Sequence, residues 1–438
     1  MKRILFFILL IVLTLEQPTI KRSVRSKHGQ DCISDSACEE GLVCKINRCY
    51  TKYESKNLKT LGLFDNNLCS FTKKCPSNQK CVKHRCVDLN TPVQPPSNRT
   101  GNIEDVHLLF SGNIFLNYKP YLSGIKNNNV VNYDHLFTHI TKNIKSADLA
   151  VTALSSTFYI DSEGKKFVKN VKNTPKELGD AIANAGFNVV LHASSKAYKQ
   201  KEKGIINTLN FWKTNHPNIH PLGISSTLPE AEKDYFIFTK NNIKIAIINY
   251  SVFMLKSIPN KNKFMINVIK QKQVEETVQK LRPQVDIIIV CINWGEVSSL
   301  TPNKNQISWA KTLAGLGVNL IVGNNPSYVQ PVTFVKNKNG KTALVFFSLG
   351  HLVGDNKSKP EALGALANIV ISKENGKACI SSYNLIPTIN HQGELDNYQV
   401  YKLSEYNESL GKQVHKKFNM QKVHQNCHKV MNAFALCG

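Results

Sequence analysis

Two short polar segments hold the groups best placed to do chemistry. Asn293-Trp294-Gly295-Glu296 offers an amide, an indole and a carboxylate, and Gly323-Asn324-Asn325-Pro326-Ser327 offers two amides and a hydroxyl. Such oxygens can ligate a hard cation, and the same groups can hydrogen-bond a polar ligand. Each segment follows an apolar run, Asp286 to Ile292 and Leu320 to Val322, that reads as a strand buried on both faces. Between them a helix is expected over Asn305 to Leu316, with Ile307, Ala310, Leu313 and Ala314 on one face. Ligands of α/β sheets sit beyond the carboxyl ends of the strands, so both segments should face one site. Gly, Asn and Pro are also ordinary turn residues, and plain turns are the alternative.

The elements that must position these loops alternate along the chain. Strands are expected at Val106 to Phe110, from Asp148, at Asn188 to Leu191 and at Ile243 to Tyr250. Helices are expected at Tyr133 to Ile144, from Pro175 to Ala185 with Thr174 as N-cap, at Ile205 to Lys213 and at Gln271 to Leu281. Late strands are expected at Val332 to Val335, Ala343 to Ser348, Ala367 to Ser372 and Ala378 to Asn384. An α/β layered sandwich follows from that order. The strand ends add Gly112-Asn113, Ala153-Leu154-Ser155 and His192-Ala193-Ser194-Ser195-Lys196 to the candidate loops.

The chain has 438 residues and a formal charge of +25, which favours a polyanionic partner over a neutral one; a merely solvated basic surface is the alternative. Lys2 and Arg3 precede an apolar run from Ile4 to Leu15, the layout of a signal peptide. Residues 1–22 are therefore expected to be a signal peptide with a possible short propeptide, and the product to be secreted or to enter the lumen of a secretory organelle. No later stretch is long and apolar enough for a membrane span. Cys32, Cys38, Cys44 and Cys49 are separated by five, five and four residues, and Cys69, Cys75, Cys81 and Cys86 repeat that spacing. The repeat marks two four-cysteine modules, at 31–50 and 68–87, too small to hold a core without disulfides. Zinc is the rival reading, weakened by the absence of close Cys pairs. Residues 90–102 read as a linker, and 391–438 as a basic tail clipped by Cys427 and Cys437. Cys291 should be a buried thiol. Asn98, Asn356 and Asn407 stand in glycosylation sequons; Asn249 does too, but within an apolar strand.

With these residues in place, the segment from about Val106 to Asp355 resembles the CapA-type capsule-synthesis, or poly-γ-glutamate synthesis, proteins. The resemblance rests on Ala147-Asp148-Leu149-Ala150-Val151, Trp294-Gly295-Glu296, Gln306, Gly323, Pro326, Val329-Gln330 and Ser348-Leu349-Gly350 taken in order. It implies a calcineurin-like metallophosphatase fold over 103–390: two mixed sheets layered as a sandwich and flanked by helices, preceded here by the two disulfide-rich modules. It also implies a divalent metal, but the motifs depart from the family where its ligands stand. Gly-Asp becomes Gly112-Asn113, Asn-Leu-Glu becomes Ala153-Leu154-Ser155, and Ala-Asn-Asn-His becomes Ala193-Ser194-Ser195-Lys196. His-Trp-Gly becomes Asn293-Trp294-Gly295, Gly-His-His-Pro-His becomes Gly323-Asn324-Asn325-Pro326-Ser327, and Ser-Leu-Gly-Asn becomes Ser348-Leu349-Gly350-His351.

Carboxylates and imidazoles have given way to amides, hydroxyls and methyl, which supply no charge to balance a divalent ion. The expected site is thus metal-free and ligand-binding, built from Asn113, Ser155, Ser194, Lys196, Asn293, Trp294, Asn324, Asn325, Ser327 and His351. His351 and Glu296 are the remaining catalytic candidates. The expected function is a secreted, catalytically degenerate protein for making, carrying or anchoring poly-γ-glutamate, with a polyanion as partner, no cofactor and no specific nucleic acid. Two alternatives stand beside it: an active metal-dependent hydrolase or transferase with non-standard ligands, and a secreted cysteine-rich binding or matrix protein.

Overall fold

Runs of Ile, Val and Leu too apolar to expose either face set the architecture, because each must be covered twice. The structure, a computed structural model, describes residues 42–45, 48–51, 79–82, 85–88, 104–125, 130–159, 174–253, 258–337, 339–354, 363–393, 397–414, 416 and 418–431. Residues Met1–Lys56 form one unit and Asn57–Gly438 a second. Two hairpins come first, β1 (Leu42–Lys45) with β2 (Arg48–Thr51), and β3 (Gln79–Val82) with β4 (Arg85–Asp88). Their registers match, Cys44 pairing with Cys49 and Cys81 with Cys86, so the sequence duplication extends to the backbone. The signal segment, the linker, Asn98, Asn356, Cys437 and the side chains of the eight module cysteines lie outside the described residues.

The large body begins with β5 (Glu104–Ile114), α1 (Tyr118–Ser123), α2 (Thr141–Lys145), β6 (Leu149–Leu154), β7 (Phe158–Tyr159) and β8 (Thr174–Pro175). It continues through α3 (Lys176–Ala185), β9 (Val189–Leu191), α4 (Lys201–Asn215), β10 (His220–Leu222), α5 (Leu228–Ala231), β11 (Tyr235–Lys240) and β12 (Ile243–Ser251). Next come α6 (Gln271–Leu281), β13 (Ile287–Asn293), α7 (Lys304–Leu316), β14 (Leu320–Asn324), β15 (Val329–Lys336), β16 (Thr342–Leu349) and β17 (His351–Val353). The last elements are β18 (Leu363–Glu374), β19 (Lys377–Gln392), β20 (Tyr398–Lys402), α8 (Glu408–Val414) and α9 (Met420–Met431).

One mixed sheet of eight strands runs β10-β9-β6-β5-β18-β19-β20, with β17 pairing beside β5; a second of six runs β11-β12-β13-β14-β16-β15. Their facing sides share one apolar layer, in which Val106, Leu108 and Phe110 meet Ile245, Ile289 and Val322. The outer face of the first sheet packs on α3 and α4 through Leu178, Ile182 and Trp212, and that of the second on α6 and α7 through Val274, Leu281 and Leu313. The expected layered α/β arrangement of two mixed sheets between helices is what forms.

Several local expectations are corrected. Thr174 does not cap α3: the N-cap is Pro175, and Thr174 instead pairs with Phe158 across the short β7–β8 ladder. Tyr133 to Ile144 is not one helix. Asp134–Phe137 turns as 3-10, and α2 follows, although Leu136, Phe137, Ile140 and Ile144 are all buried. The C-terminal stretch is well packed. Tyr401, Leu403, Tyr406, Val423, Cys427 and Met431 join the layer between the sheets, and Cys427 is disulfide-bonded. Cys291 is a buried free thiol, and Cys379 an exposed one.

Candidate functional site

The carboxyl ends of both sheets converge on one small polar space. It is lined by Asn113, Ala153, Ser155, Leu191, Ala193 and Ser194 from the first sheet, and by Asn249, Asn293 and Asn324 from the second. Its volume is about 10 Å³, the room of roughly one water. Five of the residues expected from the sequence are thus brought together: Asn113, Ser155, Ser194, Asn293 and Asn324.

Each is fixed by its strand. Asn113 lies past a register shift in β5, where it pairs with Ala153 and His351. Its backbone N–H donates to the Gly350 carbonyl at 2.9 Å. That approach needs glycine at 112, where a Cβ would sit 2.5 Å from the Gly350 oxygen. Ser155 Oγ donates to Asn113 Oδ1 at 2.7 Å, and Ser194 Oγ donates to the Ser155 carbonyl. Asn293 and Asn324 are register partners on β13 and β14. Both side-chain oxygens are buried without a hydrogen-bond partner, so the pair turns unsatisfied amide groups into the site.

Asn249 is the lining residue that sequence reasoning missed. It was visible only as an inaccessible sequon, and it is indeed buried. Its Oδ1 accepts from Ala193 N–H at 2.8 Å and its Nδ2 donates to the Cys291 carbonyl at 3.2 Å, joining the two sheets. The available signal was position: it is the polar residue near the end of an apolar strand, as Asn293 and Asn324 are.

The remaining candidates lie elsewhere. Trp294 is not a ligand platform. It is fully buried, its indole N–H donates to the Phe347 carbonyl at 2.8 Å, and its ring stacks on Phe347. Asn325, at φ +97°, donates from Nδ2 to the Gly295 carbonyl, and Ser327 N–H donates to the Val297 carbonyl; both tie the two loops together. Glu296 is exposed beside Asn303 and does not reach the space. His351 is buried next to Asn113 in register, its ring tilted against Phe115 at 6.3 Å. Lys196 stands at the rim: its backbone N–H donates to Ser194 Oγ, and its Nζ lies 3.3 Å from the centre of the Phe115 ring. Burial, with Lys199 nearby, pulls its pKa down to about 8.

His192 accepts from the Trp212 indole N–H at 3.0 Å, and burial pushes its pKa down to about 3, against the carbonyls of Leu154 and Ser156. It is a packed neutral imidazole. The space itself is therefore lined by amides, hydroxyls and aliphatic groups, none of which titrates near neutrality. Among the described residues neither serine is hydrogen-bonded to an imidazole or a carboxylate that could activate it. Nor does this donor set fit the divalent metal of the fold family. Among the described residues no three His, Cys, Asp or Glu side chains cluster to hold one, and neutral oxygens alone leave its charge uncompensated.

The family described as bacterial capsule synthesis protein PGA_cap matches residues 107–356, more than half of the chain. Similar relatives are the capsule biosynthesis protein CapA of Bacillus anthracis and the PGA biosynthesis protein CapA of Bacillus subtilis (strain 168). The first is 23% identical over 242 residues, covering 52% of this chain and 57% of that protein. The second is 22% identical over 224 residues, covering 51% and 57%. The chain thus spans little more than half the length of these relatives. Among solved structures, the calcineurin-like phosphoesterase YfkN from Bacillus subtilis is similar at a TM-score of 0.38 and 13% identity, over 74% of this chain and 98% of that one. The match from residue 107 to residue 356 contains both sheet ends and every lining residue of the polar space, and the chain belongs to the bacterial capsule synthesis protein PGA_cap family.

Proposed function

We propose that this chain is a secreted, non-catalytic member of its family that binds poly-γ-glutamate during its synthesis, transport or anchoring. The observation that carries this reading is the donor set of the polar space. Asn113, Ser155, Asn293 and Asn324 stand where the family resemblance implies acids or imidazoles, Ser194 and Asn249 line the same space, and none of the six is an acid, a base or an activated nucleophile. Such groups can hold a polar group no larger than about one water by hydrogen bonds, and they leave it intact. The relatives' names supply the polymer, and the +25 balance suits a polyanion. The signal-like N-terminus supports secretion. Asn407, exposed at the start of α8, is an accessible glycosylation sequon in keeping with it.

The test pairs binding with metal content. Full-length protein prepared without chelator should bind poly-γ-glutamate saturably in low salt. It should carry no stoichiometric manganese, iron or zinc, and should not shorten the polymer or hydrolyse phosphoesters when those metals are added. Stoichiometric metal together with hydrolysis would sink the non-catalytic reading, and failure to bind the polymer would sink the partner.

A further inference from the structure

Among the described residues the Lys196 ammonium has an aromatic ring but no anion for a partner. Its Nζ rests 3.3 Å from the centre of the Phe115 ring, and among the described residues no carboxylate pairs with it. A partly buried ammonium needs compensation, and an aromatic face supplies only part of it. The charged or titratable groups about it are Lys199 on the same turn, a second cation, and His351, whose ring packs on the other partner, Phe115. Lys199 on that turn and Lys201 at the start of α4 are exposed, Lys199 N–H donating to the Lys196 carbonyl and Lys201 N–H to the Tyr198 carbonyl. Lys196 therefore sets a positive charge beside a lining of hydrogen-bonding groups, next to Ser194, to which its backbone N–H donates. Lys196 also belongs to that space mechanically, since its own N–H holds Ser194 Oγ and Phe115 lies two residues beyond Asn113.

We propose that Lys196 is the anion anchor of this site, its ammonium pairing with a carboxylate of a γ-glutamyl ligand seated on the Phe115 face. This rests on the binding function proposed above and names the group that recognises the ligand. A carboxylate supplies the countercharge that the ring cannot, and the resulting bond is charge-assisted. Exposed Lys199 and Lys201 attract further carboxylates of a longer chain without fixing them. Because only the protonated amine pairs, binding must weaken as pH rises through the lowered Lys196 pKa near 8, and a bound carboxylate must in turn raise that pKa.

The experiment measures binding of a labelled short γ-glutamyl oligomer, free L-glutamate and inorganic phosphate to full-length wild type, Lys196→Met and Lys196→Arg in low salt. Lys196→Met should lose about tenfold or more in oligomer affinity, and Lys196→Arg should retain most of it. Wild-type affinity should fall between about pH 7 and pH 9 while that of Lys196→Met stays flat. In lysine-methylene NMR, the oligomer should move the titration midpoint of Lys196 upward, a readout that a merely structural lysine would not give. L-glutamate competing as well as the oligomer would place the anchor at a free amino acid instead of a chain and overturn the polymer as its ligand. Phosphate competing equally would overturn the carboxylate. If wild type binds the oligomer and Lys196→Met matches it in affinity and pH profile, the anchor is wrong while the binding function stands. If wild type binds neither oligomer nor long polymer, the function falls and the anchor with it.

Discussion

Asn249 shows how one amide can hold two sheets in register at their functional ends. Its oxygen takes the Ala193 N–H and its nitrogen gives to the Cys291 carbonyl, while Gly223, at φ +91°, leaves the room its oxygen fills. Asn249→Leu would orphan two buried backbone groups, which should cost about 2–4 kcal/mol by denaturant unfolding. Lys196 pulls the other way. Its amine titrates near 8 in the fold but near 10.5 when free, so the unfolded chain binds more protons between those values. The resulting penalty on stability is complete below about pH 8 and gone above about pH 10.5. Lys196→Met should therefore stabilise at pH 7 by about 1 kcal/mol, after discounting for the side chain's partial exposure, and the gain should shrink as pH rises. A melting series that shows no gain at neutral pH would remove the argument that this ammonium is uncompensated. Cysteine chemistry gives a third residue-scale outcome. Burial pushes the Cys291 thiol well above its usual range, whereas Cys379 is exposed, so a thiol reagent should label Cys379 in the native protein and Cys291 only after unfolding.

The loop between β13 and α7 is held as an element by two buried glutamines. Gln306 occupies the third helical position of α7, where its Oε1 accepts from Asn303 N–H and its Nε2 donates to Gln330 Oε1. Gln330 in turn donates to the carbonyls of Ser299 and Thr301. Gly295, at φ +73°, is the turn that lets the loop lie against Gln306, where a Cβ would meet the amide at 2.6 Å. Gln306→Leu should cost about 2–3 kcal/mol and raise hydrogen exchange across 295–303 before it affects the rest of α7. Equal exchange in that loop would show the brace to be dispensable. Elements of this kind were legible where pattern and period agreed. The β13 and β14 runs, α6, the body of α7, and Gly186 as the stop of α3 all follow from apolar spacing and terminal residues, whereas the Asn303 cap of α7 was not read. The β10 strand is three residues long with a proline, and β11 is a half-buried edge, so neither gave the fully apolar run that marks a central strand. The break after Phe137 keeps every apolar side chain buried, so spacing alone cannot reveal it. At the site, the residues after each strand were legible because strand ends converge. What those residues hold was not, since Trp294 and Asn325 differ from Asn293 and Asn324 only in where their side chains turn.

For the whole molecule the formal charge of +25, from 56 Lys and Arg against 31 Asp and Glu, is an energetic fact that needs an outlet. Among the described residues few of these charges form ion pairs. The ion pairs of Lys240 with Asp148 and of Lys373 with Asp286 link one sheet to the other, and the Lys272–Glu276 and Lys412–Glu408 pairs are simple surface contacts. An unpaired excess of this kind acts at long range and is screened by salt. Two binding terms then separate by their ionic-strength dependence. A long γ-glutamyl polymer that lies along many lysines should lose affinity with a log–log slope of several units as salt rises, by analogy with ion release from nucleic acids. A ligand with one carboxylate held at one ammonium should show a slope of about one. Titrations of long polymer and of a single-carboxylate γ-glutamyl ligand at about 20, 60 and 150 mM salt read both slopes directly. If the two slopes are equal and small, the surface charge takes no part in binding, and the net charge must be explained without the polymer. A steep slope for the polymer alone would assign attraction to the surface and recognition to the pocket rim.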